Sequence, residues 1–170
     1  PCIQPLDSLL EAVSSSSVCI APIPFSKLLN KAPYLEFADL LSDGHTLFAG
    51  CIPKPFFKLI QAKNIPAFDF MASPAFSYWN AKATAESTLA NAILLSPRTL
   101  FESRCLILGY GKCAKALARL LSMQTPYLSV AARNPVQLAE ASLTGAQTIS
   151  LEQLSDCELS SFDFIFNTLR

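Results

Sequence analysis

A short apolar run followed at once by two glycines, Cys-Leu-Ile-Leu-Gly-Tyr-Gly over 105–111, constrains the fold of this sequence most strongly. Four consecutive apolar residues are typical of a strand that is buried on both faces of a parallel sheet. Small and apolar residues then recur at helical spacing, at Ala114, Leu117, Ala118 and Leu121. A strand, a glycine turn and a helix in this order form the context in which a G-x-G-x-x-G/A motif predicts a dinucleotide site.

Each position of the glycine motif has its own physical role. Gly109 permits the tight turn, Gly111 lets a pyrophosphate approach the backbone, and Ala114 is small enough for the helix to lie against the strand. The start of the helix offers free N–H groups and the positive end of its dipole to the phosphates. We therefore predict that the cofactor contacts Gly109, Tyr110, Gly111, Lys112 and Cys113.

The end of the next strand predicts which nicotinamide nucleotide is bound. The segment 127–133 reads as a second strand, and it leads into Ala132, Arg133 and Asn134. An NAD site usually carries Asp or Glu there, whereas an arginine suits the 2′-phosphate of NADP. NADP is therefore predicted in preference to NAD, with these three residues as cofactor contacts. The alternative is a nucleotide-free unit in which Arg133 is a solvated surface residue.

Composition excludes several classes of function. The 170 residues are 51% hydrophobic, and 13 basic residues balance 13 acidic ones, with no basic run that would favour a nucleic-acid partner. No apolar stretch has the length of a membrane span, and no secretory signal is visible. The six cysteines form no C-x-x-C pair and only one histidine is present, so no metal site is predicted. A reducing, cytoplasmic location is expected.

The order of predicted elements indicates two α/β domains. Strands at 18–23, 46–52 and 65–70 alternate with helices, which predicts parallel architecture. We assign 1–73 to part of an N-terminal, substrate-side α/β domain and 74–98 to a connector helix. Residues 99–170 then form a truncated, Rossmann-type doubly wound parallel sheet that binds NAD(P). The chain begins with Pro1 and stops directly after a strand, so we expect a fragment of a longer protein, inactive by itself.

Four segments together resemble the first subunit of dipicolinate synthase, a two-domain Rossmann-type protein that binds NAD(P). They are Tyr-Trp-Asn-Ala-Lys-Ala-Thr-Ala-Glu over 78–86, the glycine motif, Val-Ala-Ala-Arg ending at 133, and Ile-Phe-Asn-Thr ending at 168. The resemblance implies an NADP-linked oxidoreductase of spore-forming bacteria that makes dipicolinate from a dihydrodipicolinate-level precursor. It also implies a partner, a flavoprotein-like second subunit. The sequence departs from the family pattern at Lys82-Ala83, at Ser87 and at Arg170.

The resemblance places a small dicarboxylic heterocycle near the connector, where Asn80, Thr84 and Glu86 are the candidate catalytic residues. Asn80 and Thr84 share a helix face and are expected to contact a substrate carboxylate or carbonyl, whereas Thr84 and Glu86 cannot share one. Glu86 is either a proton acceptor or an exposed helix charge.

Two residues that follow the last predicted strand, Asn167 and Thr168, are expected to hydrogen-bond the nicotinamide ribose or carboxamide. The alternative is that they begin a loop and cap a helix. His45, in a turn, is predicted to be solvated. Two other functions stay open: another two-domain NAD(P) dehydrogenase of the 2-hydroxyacid or shikimate type, and a non-catalytic Rossmann module that senses nucleotide.

Overall fold

A computed structural model describes residues 5–25, 34–156 and 159–169. Pro1 and Arg170, named above, lie outside these ranges. The chain divides into two compact units, Pro1–Ser77 and Tyr78–Arg170. Among the described helices, none combines the length and the apolar character that a membrane crossing requires.

The first unit contains a parallel sheet of three strands in the order β1-β2-β3: β1 (Val18–Ile20), β2 (Thr46–Ala49) and β3 (Ala67–Asp69). Its helices are α1 (Leu9–Ser14), α2 (Tyr34–Leu40) and α3 (Lys54–Ala62). Parallel strands that alternate with helices confirm the α/β prediction for this region.

The core of the first unit is aromatic. The ring of Phe25 lies 6.0 Å from that of Phe37 and 4.7 Å from that of Phe56. By contrast, β1 is the first strand of this sheet, and the face that carries Val18 and Ile20 is exposed, whereas an apolar run of this kind is typical of a buried strand. Val18 is 51% exposed and Ile20 is 78% exposed, and the strand ends at Ile20 instead of continuing to Ile23.

The second unit contains a parallel sheet of four strands in the order β6-β5-β4-β7. The strands are β4 (Cys105–Leu108), β5 (Leu128–Ala132), β6 (Gln147–Ser150) and β7 (Phe164–Asn167). The chain steps outward from β4 to β6 and then returns to the other side of β4 for β7. Ligands of open α/β sheets bind at the carboxyl ends of the strands where the order reverses, here between β4 and β7.

Helices α4 (Pro74–Leu95), α5 (Lys112–Leu121) and α6 (Pro135–Ser142) accompany this sheet. Alternate strand residues such as Cys105, Ile107 and Val130 are fully buried in one core with Ala114 and Leu117 of α5. The small side chain at 114 is completely buried there, as the motif predicted. Where the sequence predicted a connector helix over 74–98, α4 runs unbroken for 22 residues, from Pro74 to Leu95.

Candidate nucleotide-binding site

The turn between β4 and α5 requires glycine at 109 for two reasons. Gly109 has a φ of +91°, which L side chains rarely adopt, and an added Cβ would lie 2.8 Å from Oγ1 of Thr168. Its N–H donates to the carbonyl of Ala131 at 2.7 Å, which ties the turn to β5. The first glycine of the motif is therefore a structural requirement of the turn.

Gly111 serves a different purpose. Its φ of −80° is open to any residue, and an added Cβ would meet no atom within 4 Å. Gly111 is also the N-cap of α5, and no side-chain oxygen caps the helix. Open space above a helix start without a side-chain cap is what a phosphate needs, because the first-turn N–H groups and the helix dipole then act on the anion.

The other three predicted contacts of the turn, Tyr110, Lys112 and Cys113, differ in how far their side chains are exposed. Lys112 is exposed and Cys113 is half-buried. Tyr110 is only 3% exposed and belongs to the core, with the ammonium group of Lys115 at 5.7 Å from the centre of its ring. The side chain of Tyr110 therefore packs inward, and its backbone is what it presents at the turn.

Three cofactor contacts were predicted at the end of β5: Ala132, Arg133 and Asn134. Of these three, only Arg133 has an exposed side chain without a hydrogen-bond or ion-pair partner among the described residues. Ala132 is buried. The side chain of Asn134 caps α6 by accepting from the N–H of Val136 at 2.9 Å. Arg133 is exposed, and within the described ranges its guanidinium forms no hydrogen bond or ion pair.

The two candidate residues at the end of β7 both hold the local backbone. Asn167 is the last residue of β7, paired with Leu108, and its Oδ1 accepts from the N–H of Leu169 at 3.0 Å. Both the N–H and the hydroxyl of Thr168 donate to the carbonyl of Leu108, at 3.0 and 2.7 Å. These bonds employ the amide oxygen of Asn167 and the hydroxyl proton of Thr168, and they leave the exposed amide NH2 of Asn167 available to a ligand.

A groove of about 480 Å³ lies at this end of the sheet, and we refer to it as the switch groove. Thr84 and Thr88 of α4 line it, and their hydroxyls donate at 2.8 Å to the carbonyls of Asn80 and Thr84, one turn earlier. Thr88 was absent from the sequence prediction, although its spacing of four residues from Thr84 was a signal for it. The full lining is Thr84, Ala85, Thr88, Cys113, Leu117 and residues 165–169.

Glu86 lies on a different flank of α4. It lines a smaller pocket with Lys82 and Tyr78, and the hydroxyl of Tyr78 accepts from Arg119 of α5 at 3.1 Å. The structure thus brings Thr84, Cys113, Asn167 and Thr168 to one groove and places Glu86 outside it, while Asn80 contributes its carbonyl to Thr84.

No family model matches the chain, and no curated protein matches its sequence. Its structure is similar to the first subunit of dipicolinate synthase from Bacillus subtilis, with 19% identity, 79% of this chain covered and a TM-score of 0.65. It is also similar to the same subunit from Bacillus halodurans, with 20% identity, 80% of the chain covered and a TM-score of 0.66. A transhydrogenase from Sinorhizobium meliloti, 12% identical, matches over 95% of the chain with a TM-score of 0.63.

The chain spans 45%, 46% and 52% of the lengths of these three proteins. At such low identities the likeness shows a common fold. The predicted Rossmann-type α/β architecture, with its similarity to the first subunit of dipicolinate synthase, is confirmed at that level.

Proposed function

We propose that the second unit binds NADP(H) and that the chain belongs to an oxidoreductase similar to the first subunit of dipicolinate synthase. Two neighbouring features carry the proposal. The helix that starts at Gly111 has open space above it, and Arg133, directly after the next strand, has no side-chain partner among the described residues. In Rossmann folds these two positions receive the pyrophosphate and the adenosine ribose. The exposed guanidinium of Arg133 favours a 2′-phosphate, because its planar fork can pair two phosphate oxygens.

The switch groove is proposed to hold the nicotinamide and the reacting end of the substrate. When bound in its oxidised form, the nicotinamide would accept the hydride that the dihydro precursor loses. The amide NH2 of Asn167 is positioned at the end of β7 to donate a hydrogen bond there. The hydroxyl oxygens of Thr84 and Thr88 have already donated their protons to the backbone, so towards a ligand in the groove they act as acceptors.

The proposed reaction is the NADP-linked formation of dipicolinate from a dihydrodipicolinate-level precursor, in the cytoplasm of a spore-forming bacterium. The proposed partner is a flavoprotein-like second subunit. The structural likeness to two dipicolinate synthase chains supports this choice over a 2-hydroxyacid or shikimate dehydrogenase, and the resemblance of segment 78–86 adds to it.

One observation favours a second candidate, a nucleotide-binding module that senses NADP(H) without catalysis. Within the described part of the chain, the lining of the switch groove includes no carboxylate and no imidazole. Glu86, the acidic candidate, lines the pocket on the other flank of α4. A proton acceptor would then have to come from the substrate itself or from another part of the protein.

The test is a titration of the chain with NADPH and with NADH, followed by intrinsic fluorescence. We expect NADPH to bind at least about tenfold more tightly, and Arg133→Ala to reduce its affinity to that for NADH. Arg119→Ala is the matched control, since it removes the same charge from the last turn of α5. Equal affinities for both nucleotides in the unmodified chain would overturn the NADP assignment.

Catalysis and sensing are separated by a second measurement. Reduction of NADP+ is followed by absorbance after addition of dihydrodipicolinate to the protein at its natural length, because conversion of this precursor to dipicolinate removes a hydride from it. A change in the redox state of the nicotinamide supports the oxidoreductase, whereas tight NADPH binding without any change supports the sensor.

A further inference from the structure

We propose a second ligand site in the second unit, for a small aromatic monocarboxylate, at the amino-terminal edge of its sheet. A groove of about 480 Å³ lies there, a size typical of small-molecule sites. We call it the edge groove. It is lined by Arg104, Tyr127, Gln147 and Asp163, which precede or begin the four strands, together with Ser129 and Phe162.

The edge groove is distinct from the nucleotide site. The strands are four or five residues long, so their amino and carboxyl ends are about 13 Å apart. Gly109 and Asn167 lie at the carboxyl ends, whereas the edge groove lies at the amino ends. Ser129 also points to the opposite face of the sheet from Leu128 and Val130, which are buried in the core with α5. No lining residue is shared between the two grooves.

Arg104 is the group that selects an anion. Its guanidinium lies 5.7 Å from the centre of the Phe162 ring, which holds it by a cation–π contact. Within the described ranges it forms no hydrogen bond or ion pair through its side chain. A guanidinium oriented by an aromatic ring, with its donors unused, is suited to a carboxylate, which it can bind through two parallel hydrogen bonds.

Ser129 is an independent indication of a ligand. The residue is only 5% exposed, and its hydroxyl has no hydrogen-bond partner among the described residues. Every fully enclosed side-chain nitrogen or oxygen atom of the described residues has a hydrogen-bond partner. Because the Ser129 hydroxyl has none, it is not fully enclosed, and it is open to the groove that Ser129 lines. A hydroxyl that is almost buried and has no protein partner takes its hydrogen bond from whatever occupies the groove, and a bound ligand with a polar group can supply it in place of water.

The other charges limit the ligand to one negative charge. The carboxylate of Asp163 is already engaged, because it accepts from the backbone N–H of Arg104 at 2.9 Å and pairs with Arg98. Glu102 is exposed and also lines the groove. A second carboxylate on the ligand would face these two acidic groups, whereas an aromatic ring would find apolar surface on Tyr127 and Phe162.

Benzoate is the probe, titrated into the isotope-labelled chain and followed by the amide resonances of Arg104, Tyr127, Ser129 and Gln147. We expect saturable shifts at these residues, unchanged by an excess of NADPH, and no shifts with neutral benzamide. Arg104→Gln should weaken benzoate binding at least about tenfold, and the matched variant Arg119→Gln should leave it unchanged. Absent or non-saturable shifts, or equal binding by the Arg104→Gln variant, would overturn the proposal.

Ser129→Ala separates a binding role from a structural one. If the Ser129 hydroxyl serves to bind a ligand, the variant unfolds at an unchanged or slightly higher temperature but binds benzoate about threefold more weakly. If the variant is less thermostable and binds benzoate normally, the hydroxyl serves the fold and the assigned site is wrong.

Discussion

The space that a side chain at Gly109 would need is already occupied by the hydroxyl of Thr168. An ideal Cβ on Gly109 would lie 2.8 Å from Oγ1 of Thr168 and 3.0 Å from a methyl group of Leu169. The same hydroxyl donates to the carbonyl of Leu108 at 2.7 Å. The glycine turn after β4 and the end of β7 are therefore packed as one piece, on the two sides of the point where the strand order reverses.

Gly109→Ala is expected to lower the free energy of unfolding by about 2–5 kcal/mol. The positive φ costs a residue with a Cβ about 1–2 kcal/mol, and the contact with Thr168 adds overpacking of about 1–3 kcal/mol. Denaturant unfolding measures the change.

Gly111→Ala is the matched control for this prediction. Its Cβ enters open space at an ordinary φ, so the loss of stability should stay below about 1 kcal/mol, while NADPH affinity falls at least about tenfold. Equal destabilisation by the two variants would contradict the different roles assigned to the two glycines.

The glycine turn could be predicted from sequence because local rules determine it. An apolar run, two glycines and a helical repeat specify β4, the turn and α5 without reference to the rest of the chain. The inward direction of Tyr110 could not be predicted in this way. It depends on the core that α5 and β4 build together, and the middle position of G-x-G carries no information about that packing.

The connector was harder to interpret for a related reason. Helix α4 has small and apolar residues around most of its circumference, so periodicity does not identify the side that faces β7. Spacing alone showed that Thr84 and Glu86 point apart. Only the tertiary structure shows that Thr84 faces the switch groove.

Thr84→Val and Glu86→Gln test which flank of α4 binds the ligand, the one at the switch groove or the one at the pocket that Glu86 lines. Valine keeps the shape of threonine but removes the acceptor oxygen from the switch groove, so nucleotide affinity or turnover should fall about threefold to tenfold. Glu86→Gln should leave nucleotide affinity unchanged, because its side chain lines the other pocket. The opposite ranking in a fluorescence titration would show that the acidic flank is the functional one.

His45, which its turn sequence predicted to be solvated, is half-buried and joins two parts of the first unit. Its Nδ1 lies 3.0 Å from the N–H of Ser42, and its Nε2 lies 3.1 Å from the carbonyl of Val13 at the end of α1. Two hydrogen bonds of this kind contribute about 1–3 kcal/mol together. We expect His45→Ala to lower the free energy of unfolding by that amount in chemical denaturation, with NADPH binding by the second unit unaffected. An unchanged stability would mean that these contacts contribute nothing.

Asp163 should make stability depend on acid pH. The backbone N–H of Arg104, and then the nearby charge of Arg98, hold the pKa of this carboxyl below its ordinary value. A carboxyl with a depressed folded-state pKa stabilises the fold above its unfolded pKa of about 3.9, and the contribution is lost as the pH falls through the folded-state pKa. Unfolding curves for the unmodified chain and for Asp163→Asn should therefore differ at neutral pH and converge below about pH 4. A constant difference across that window would exclude the linkage.

Cys105 is expected to resist thiol reagents for as long as the second unit stays folded. The residue is fully buried at the start of β4, and burial, with a smaller effect of the Asp163 carboxylate, raises the pKa of its thiol to about 11. At about pH 8 the reactive thiolate is then on the order of one molecule in a thousand. Cys51 is exposed and should react with N-ethylmaleimide before Cys105 does. Mass mapping of the two cysteine peptides over time gives both rates.

Addition of denaturant should bring the rate of Cys105 up to that of Cys51, because unfolding removes the burial that protects the thiol. Equal rates in the native chain would mean that β4 opens readily to solvent, and the packing of the glycine turn against β7 would then be much looser than its contacts indicate.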